Sequence, residues 1–303
     1  MSIFKQVYSD KYVSIMGDDN SVLSKFTDLN PYILGDGQTL RIPQLTYKPT
    51  VLKGLTSNNS FDTVTVSEGE QLLAMERYYI QGIEVGNYEK MYEAYDKIGG
   101  VAGNLALTVA DDITYDVLIN MARQIDSDKF LPTTGTLGVA NSPSGANKKM
   151  IKLIDVAEIA TKMDKDKVAK NDRYLLVSPT QWKELKYSSD NIQYSRNDFG
   201  MENLANGIVG NIAGIDIMVR ADIPVYNGSS GIKDRDVAFT STDVFNAIAW
   251  QKDHLGYAMG NMDIRIEYNQ LKYANILTFE NYMLAGSVRQ AGARIGLYGL
   301  RQG

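Results

Sequence analysis

Residues 87–126, NYEKMYEAYDKIGGVAGNLALTVADDITYDVLINMARQID, constrain this chain more than any other stretch. Met91, Tyr95, Ile98, Ala102, Leu105, Val109, Ile113, Val117, Met121 and Ile125 step by three or four, the period of one helix face. A continuous helix over them is about 60 Å long at 1.5 Å per residue, longer than a small domain is wide. Gly99 and Gly100 offer the alternative of two ordinary helices, because Gly costs about 1 kcal/mol against Ala in a helix interior. The apolar stripe stays in phase across them. That predicts one long element with a bend, both halves packed on the same sheet.

At 303 residues the chain exceeds one core of usual size, so two lobes or an elongated body is expected. A 44% hydrophobic and 22% charged composition is that of a globular protein. No run of 18 apolar residues exists, and MSIFKQVYSDKYVS at the start lacks the apolar core of a signal peptide. The expectation is a soluble protein made in the cytoplasm, without a membrane partner. Cysteine is absent, which removes disulfides, thiolate nucleophiles and thiolate metal sites, and His254 is the sole histidine. Any active site would be built from carboxylates, Lys, Ser or Tyr. The net charge of −5 argues against a dedicated nucleic-acid reader, which shows a basic stripe. The 19 tyrosines suit wide, partly wet interfaces, although residues at a core edge account for a share of them.

Taken in order, residues 1–32 show scattered apolar side chains (Ile3, Phe4, Val7, Tyr8) without a period, so they are expected to bury little within their own fold. Residues 40–54 carry strand-like Leu40, Ile42, Leu45 and Tyr47, with Pro43 and Pro49 confining them to an edge. A polar turn at 54–60 and a strand at 61–67 complete a long hairpin, which is marginal alone and should rest on something else. Residues 70–85 read as one further strand leading into the helix. Residues 132–149, rich in Gly, Ser, Thr, Asn and Pro, read as a surface loop and the best candidate for a mobile segment. A second amphipathic helix follows from Met150, then the buried strand RYLLV stopped by Pro179, and a short helix with Trp182 and Leu185 inward. Two strands lie around a Gly turn at 206–224, and Ile264, Ile266 and Tyr268 alternate with Arg265 and Glu267 as on a half-exposed strand. Helices and strands mix without strict alternation, so the class is α+β.

Chemistry-bearing candidates are few. Asp112 and Asp116 form an i, i+4 pair beside Asp111, but without a second acidic helix a solvated face is the better reading. Asp253 and His254, adjacent in sequence, point in different directions and have no nucleophile motif beside them. Gly207, Gly210 and Gly214 do not match a dinucleotide fingerprint and read as turn and packing glycines. Arg289, Arg294 and Arg301 make a local positive patch free of acids. Lys53 and Asn58 or Asn59 flank the hairpin tip, where an intersubunit Lys–Asn isopeptide bond is chemically conceivable given a nearby carboxylate and a dry contact.

The order of elements, together with RYLLVSPTQWKEL at 173–185, GIVGNIAGIDIMVRADIP at 207–224, MDIRIEY at 262–268 and ANILTFENYMLAGSVRQAGARIGLYG at 274–299, resembles the major capsid proteins of tailed bacteriophages. These have the Hong-Kong-97-type fold that encapsulins also use. The resemblance implies an N-terminal arm at 1–32, an extended E-loop hairpin at 33–72 and a peripheral domain at 73–129 with its spine helix at 87–126. It further implies an axial domain at 130–262 and a return to the peripheral domain at 263–303. By the same resemblance the chain is a coat protein with no catalysis and no cofactor, forming pentamers and hexamers of an icosahedral shell. The shell would be assembled in the host cytoplasm and become part of the virion. Scaffolding, portal and decoration proteins and packaged double-stranded DNA would be its partners, the DNA without sequence specificity. No long scaffolding segment precedes the arm, so a separate scaffolding protein, or none, is implied. Gly99, Gly100 and Gly103 are where the spine would bend to fit rings of five and six. The alternatives are an encapsulin-type compartment and a carboxylate-based hydrolase.

Overall fold

In the computed structural model, which describes residues 21–32, 39–45, 68–86, 97–187, 208–228, 231–234, 237–259, 263–289 and 296–303, the long helix is unbroken at its glycines. Helix α1 (Lys97–Arg123) passes through Gly99, Gly100 and Gly103. The expected stretch at 87–96 lies outside the described residues. The helix closes with a tightened turn, Gln124 N–H reaching both the Asn120 and Met121 carbonyls, and Arg123 sits where the dipole favours a cation.

Val109, Ile113, Val117 and Met121, four residues apart, are buried with Ala110, Leu118, Ala122 and Ile125. They share one core with Phe279 and Met283 of one sheet and with Tyr174, Leu176, Ile248 and Trp250 of another. The second half of α1 is thus the wall between two sheets rather than the cover of one. Each Val, Leu, Ile, Met or Phe among them contributes about 1.5–3 kcal/mol on burial.

The first sheet is centred on β14 (Ala274–Ser287). One of its edges pairs with β4 (Glu76–Gly86), the other with β13 (Asp263–Asn269) and β12 (Leu255–Met259), and β1 (Thr27–Asp28) adds in parallel to β12. The single strand expected at 70–85 is two. β3 (Glu68–Ala74) pairs with β2 (Thr39–Leu45), while β4 joins β14, the chain changing sheet at Met75.

Among the described residues the second sheet has eight strands. β11 (Asp243–Gln251) pairs with β15 (Leu297–Arg301) on one edge, and on the other with β6 (Arg173–Val177) and β9 (Val225–Asn227). β6 runs parallel to β8 (Ile215–Val219), which makes a hairpin with β7 (Ile208–Ile212) through Ala213 and Gly214, both at positive φ. β5 (Phe130–Pro132) and β10 (Gly231–Ile232) complete it. Alternation shows why RYLLV is buried throughout. Tyr174 and Leu176 face α1, whereas Leu175 and Val177 face the core under α2 (Leu153–Lys165) and α3 (Pro179–Tyr187).

Two expectations are corrected. The described part of the N-terminal segment, residues 21–32, is anchored in its own fold through Val22, Leu23, Phe26 and Leu29, which are all inside. Their irregular spacing hid this, because a 3₁₀ turn at Leu23–Lys25 and the two-residue β1 have no sustained period. The loop at 132–149 is tied rather than loose. Gly135 N–H donates to Met150 O, Met150 N–H to Thr136 O, and Gly138 N–H to Lys148 O.

Candidate assembly site

The hairpin base is where the fold offers an extension. β2 and β3 pair from Thr39↔Ala74 to Leu45↔Glu68. Leu40, Ile42, Leu73 and Met75 sit on Leu29, Ala258 and Leu284, the face of the first sheet turned away from α1. Arg41, Pro43, Glu70 and Leu72 face outward, Arg41 and Glu70 forming a 3.6 Å ion pair. Pro43 is tolerated because each strand of a two-stranded ribbon has an open edge. The base therefore rests on its own body, anchored also by Gln44 Nε2–H to Val288 O. Between β2 and β3 the sequence runs from 46 to 67. Lys53, Asn58, Asn59 and the strand expected at 61–67 fall there, outside the described residues.

Gly99, Gly100 and Gly103 all lie in α1. A Cβ at Gly103 would meet nothing within 4 Å, so no close approach demands glycine there. The position weakens the helix without a packing reason.

The other candidates resolve into structure. Asp111 is ion-paired with Arg220, whose guanidinium also reaches the Asp111 carbonyl at 3.2 Å. Burial, then the nearby carboxylates of Glu76 and Asp116, raises the Tyr78 phenol far above its ordinary pKa. Among the described residues no group of three or more Asp, Glu or His is placed to hold a metal ion. Asp253 bonds through its backbone N–H and a carboxylate oxygen to Gln251, forming no dyad with His254. The imidazole lies under Gly296, its Nδ1 buried without a partner. Burial, then the nearby Arg289, pushes its pKa down to about 4 against the opposing pull of Asp253. Gly210 sits at a strand irregularity and Gly214 in a turn, while Gly207 lies outside the described residues. Arg301 corrects the basic patch: its guanidinium is held over the rings of Phe130 and Tyr226, at 3.1 and 3.5 Å, and burial lowers its pKa. Arg294 is outside the described residues.

Exposed tyrosines gather on the first sheet. Tyr79 and Tyr282 project from the face opposite α1, and Tyr268 and Tyr273 lie at the β13–β14 turn beside the almost wholly exposed Leu271. A depression of about 250 Å³ on that sheet is lined by Arg77, Tyr79, Arg265, Thr278 and Glu280 and crossed by the 2.7 Å Arg77–Glu280 ion pair. Sequence reasoning missed Leu271 and Tyr273; an apolar pair inside a polar turn was the available signal. No described helix is long and apolar enough to cross a membrane.

No protein-family description and no curated protein sequence matches the chain. Solved structures do. The capsid structure of cyanophage P-SCSP1u is similar over 91% of this chain and 86% of its own, with a TM-score of 0.65 at 14% identity. The mature capsid of bacteriophage PhiM1 gives 0.63 over 91% and 84%, also at 14% identity. The capsid of Ralstonia phage GP4 gives 0.60 over 92% and 87% at 13% identity. The chain has the α+β Hong-Kong-97-type fold of these phage capsid proteins.

Proposed function

We propose that this chain is the major capsid protein of a tailed double-stranded DNA phage. It assembles through pentamers and hexamers into an icosahedral shell in the host cytoplasm and remains as the coat of the virion. One observation carries the reading: the likeness to phage capsid chains runs over about nine-tenths of this chain and more than four-fifths of theirs, not over a shared subdomain. Such a protein works through repeated contacts, each weak, that together hold a closed surface.

In this reading residues 33–72 form the E-loop that reaches a neighbour, with Lys53, Asn58 and Asn59 near its tip. Helix α1 belongs to a peripheral domain and residues 130–262 to an axial one. Gly99, Gly100 and Gly103 let the spine bend between ring types. The net charge of −5 suits a lining that does not grip DNA, which must move during filling and release. Scaffolding, portal and decoration proteins are partners by the same reading. Its function is structural, with no catalytic step.

Negative-stain microscopy of the purified chain tests this. Shells, tubes or rings of five and six are the expected result. A compact monomer at every salt and protein concentration overturns it.

A further inference from the structure

We propose that the loop joining β5 to α2 is a preformed docking element that seats on a second copy of this chain, an inference that rests on the shell-forming reading above. The loop is built as a rigid finger. Leu137 and Lys149 form an antiparallel bridge, and Gly138 N–H donates to Lys148 O at 2.8 Å. Its backbone is pressed flat on the returning strand: a Cβ at Gly135 would lie 2.3 Å from Met150 O, and one at Gly138 2.9 Å from Met150 Cγ. With Gly138 held inward, Leu137 and Val139 on either side are thrown outward, 70% and 88% exposed.

The finger is fixed from below. The buried Asn141 donates from Nδ2 to Glu184 Oε1 at 2.7 Å and to Lys148 O at 2.9 Å, and its Oδ1 accepts from Lys148 N–H at 2.7 Å. Gln302 Nε2–H reaches Asn141 O at 2.9 Å. Glu184 takes a second bond from Ile151 N–H. A loop ordered in this way has already lost the conformational freedom that binding would otherwise remove, so its aliphatic tip adds to affinity with little ordering cost.

Charge identifies the occupant. From 133 to 152 the sequence holds Lys148, Lys149 and Lys152 and no acidic residue, in a chain of net charge −5. A basic element on an acidic protein complements the surface of its own sister copy, and Lys148 and Lys149, paired across the finger with Gly138 and Leu137, flank the two exposed aliphatics as the polar rim of an apolar centre.

Two variants of the full chain test this: Leu137→Ser with Val139→Ser, and Lys148→Glu with Lys149→Glu. Circular dichroism and thermal melting should match wild type for both, since Leu137, Val139 and Lys149 are exposed and Lys148 is half-exposed. The concentration at which light scattering reports assembly should rise about tenfold for the serine pair. For the glutamate pair it should rise at low salt and approach wild type in high salt. Assembly of both variants at the wild-type threshold overturns the docking element and leaves the shell reading standing. A wild-type chain that never assembles removes the shell reading, and this contact with it.

Discussion

Phe26 and Trp250 pack ring against ring with centroids 5.3 Å apart, and the Trp250 indole N–H donates to Lys25 O at 3.2 Å. Trp250 also meets the Tyr174 ring at 5.8 Å, so one indole ties the N-terminal segment to two strands of the second sheet. Phe26 is 2% exposed. Phe26→Ala should therefore remove about 3–5 kcal/mol from the unfolding free energy measured in denaturant, the usual cost of emptying such a site. A loss below 1 kcal/mol would make residues 21–32 an accessory to the body rather than part of its core.

His254 gives the fold an acid limit. Its folded pKa of about 4 lies below the ordinary 6.5, so the unfolded chain binds the proton more tightly. The stability held by the neutral ring is whole above pH 6.5, drains as pH falls towards 4, and changes no further below. Because the ring is only partly buried, about 1–2 kcal/mol is expected rather than the full value of the shift. His254→Gln should flatten the decline in unfolding free energy between pH 6.5 and 4 by that amount. Parallel profiles for the two proteins would rule out His254 as the source.

What the sequence made legible divides along physical lines. The apolar stripe from Val109 to Ile125, the buried run at Arg173–Val177 and the β7–β8 hairpin were readable because each has a strict period or a turn residue that admits little else. The burial of Val22, Leu23, Phe26 and Leu29 was not, since a segment that follows the contour of two sheets repeats no interval. The break at Met75 was hidden for another reason: nothing local marks where a strand leaves one sheet for the next, because the choice lies with the distant partners β2 and β14. The rigidity of residues 133–150 depends on Glu184 and Gln302, far along the chain. Loop-like composition could not announce it.

Gly103 invites a substitution whose two readouts should diverge. With nothing within 4 Å of its added Cβ, Gly103→Ala should raise the stability of the isolated chain by about 1 kcal/mol, seen as a higher melting midpoint. Changing Gly99, Gly100 and Gly103 together to Ala should stiffen the start of α1 and lower the yield of correctly sized shells. Unchanged shell size and yield in the triple variant would remove these glycines as the bending place.

Lys233 and Asp243 pose the sharpest test of the second sheet's energetics. Both side chains are inside, 9% and 0% exposed, and the carboxylate also accepts from Thr240 N–H at 2.6 Å and Thr240 Oγ1–H at 2.9 Å. Against the raising effect of burial, Lys233 first and then the two Thr240 donors hold the Asp243 pKa below its ordinary value. The stability it contributes is present above the unfolded pKa and is lost as pH falls through the folded one. Asp243→Ala leaves a buried ammonium without its partner and should cost about 3–5 kcal/mol in denaturant unfolding. Lys233→Met combined with Asp243→Leu removes both charges and should recover part of that loss, although the Thr240 donors then lack their acceptor. A double variant as unstable as Asp243→Ala would show that the bonds to Thr240, rather than the ion pair, hold this corner of the sheet.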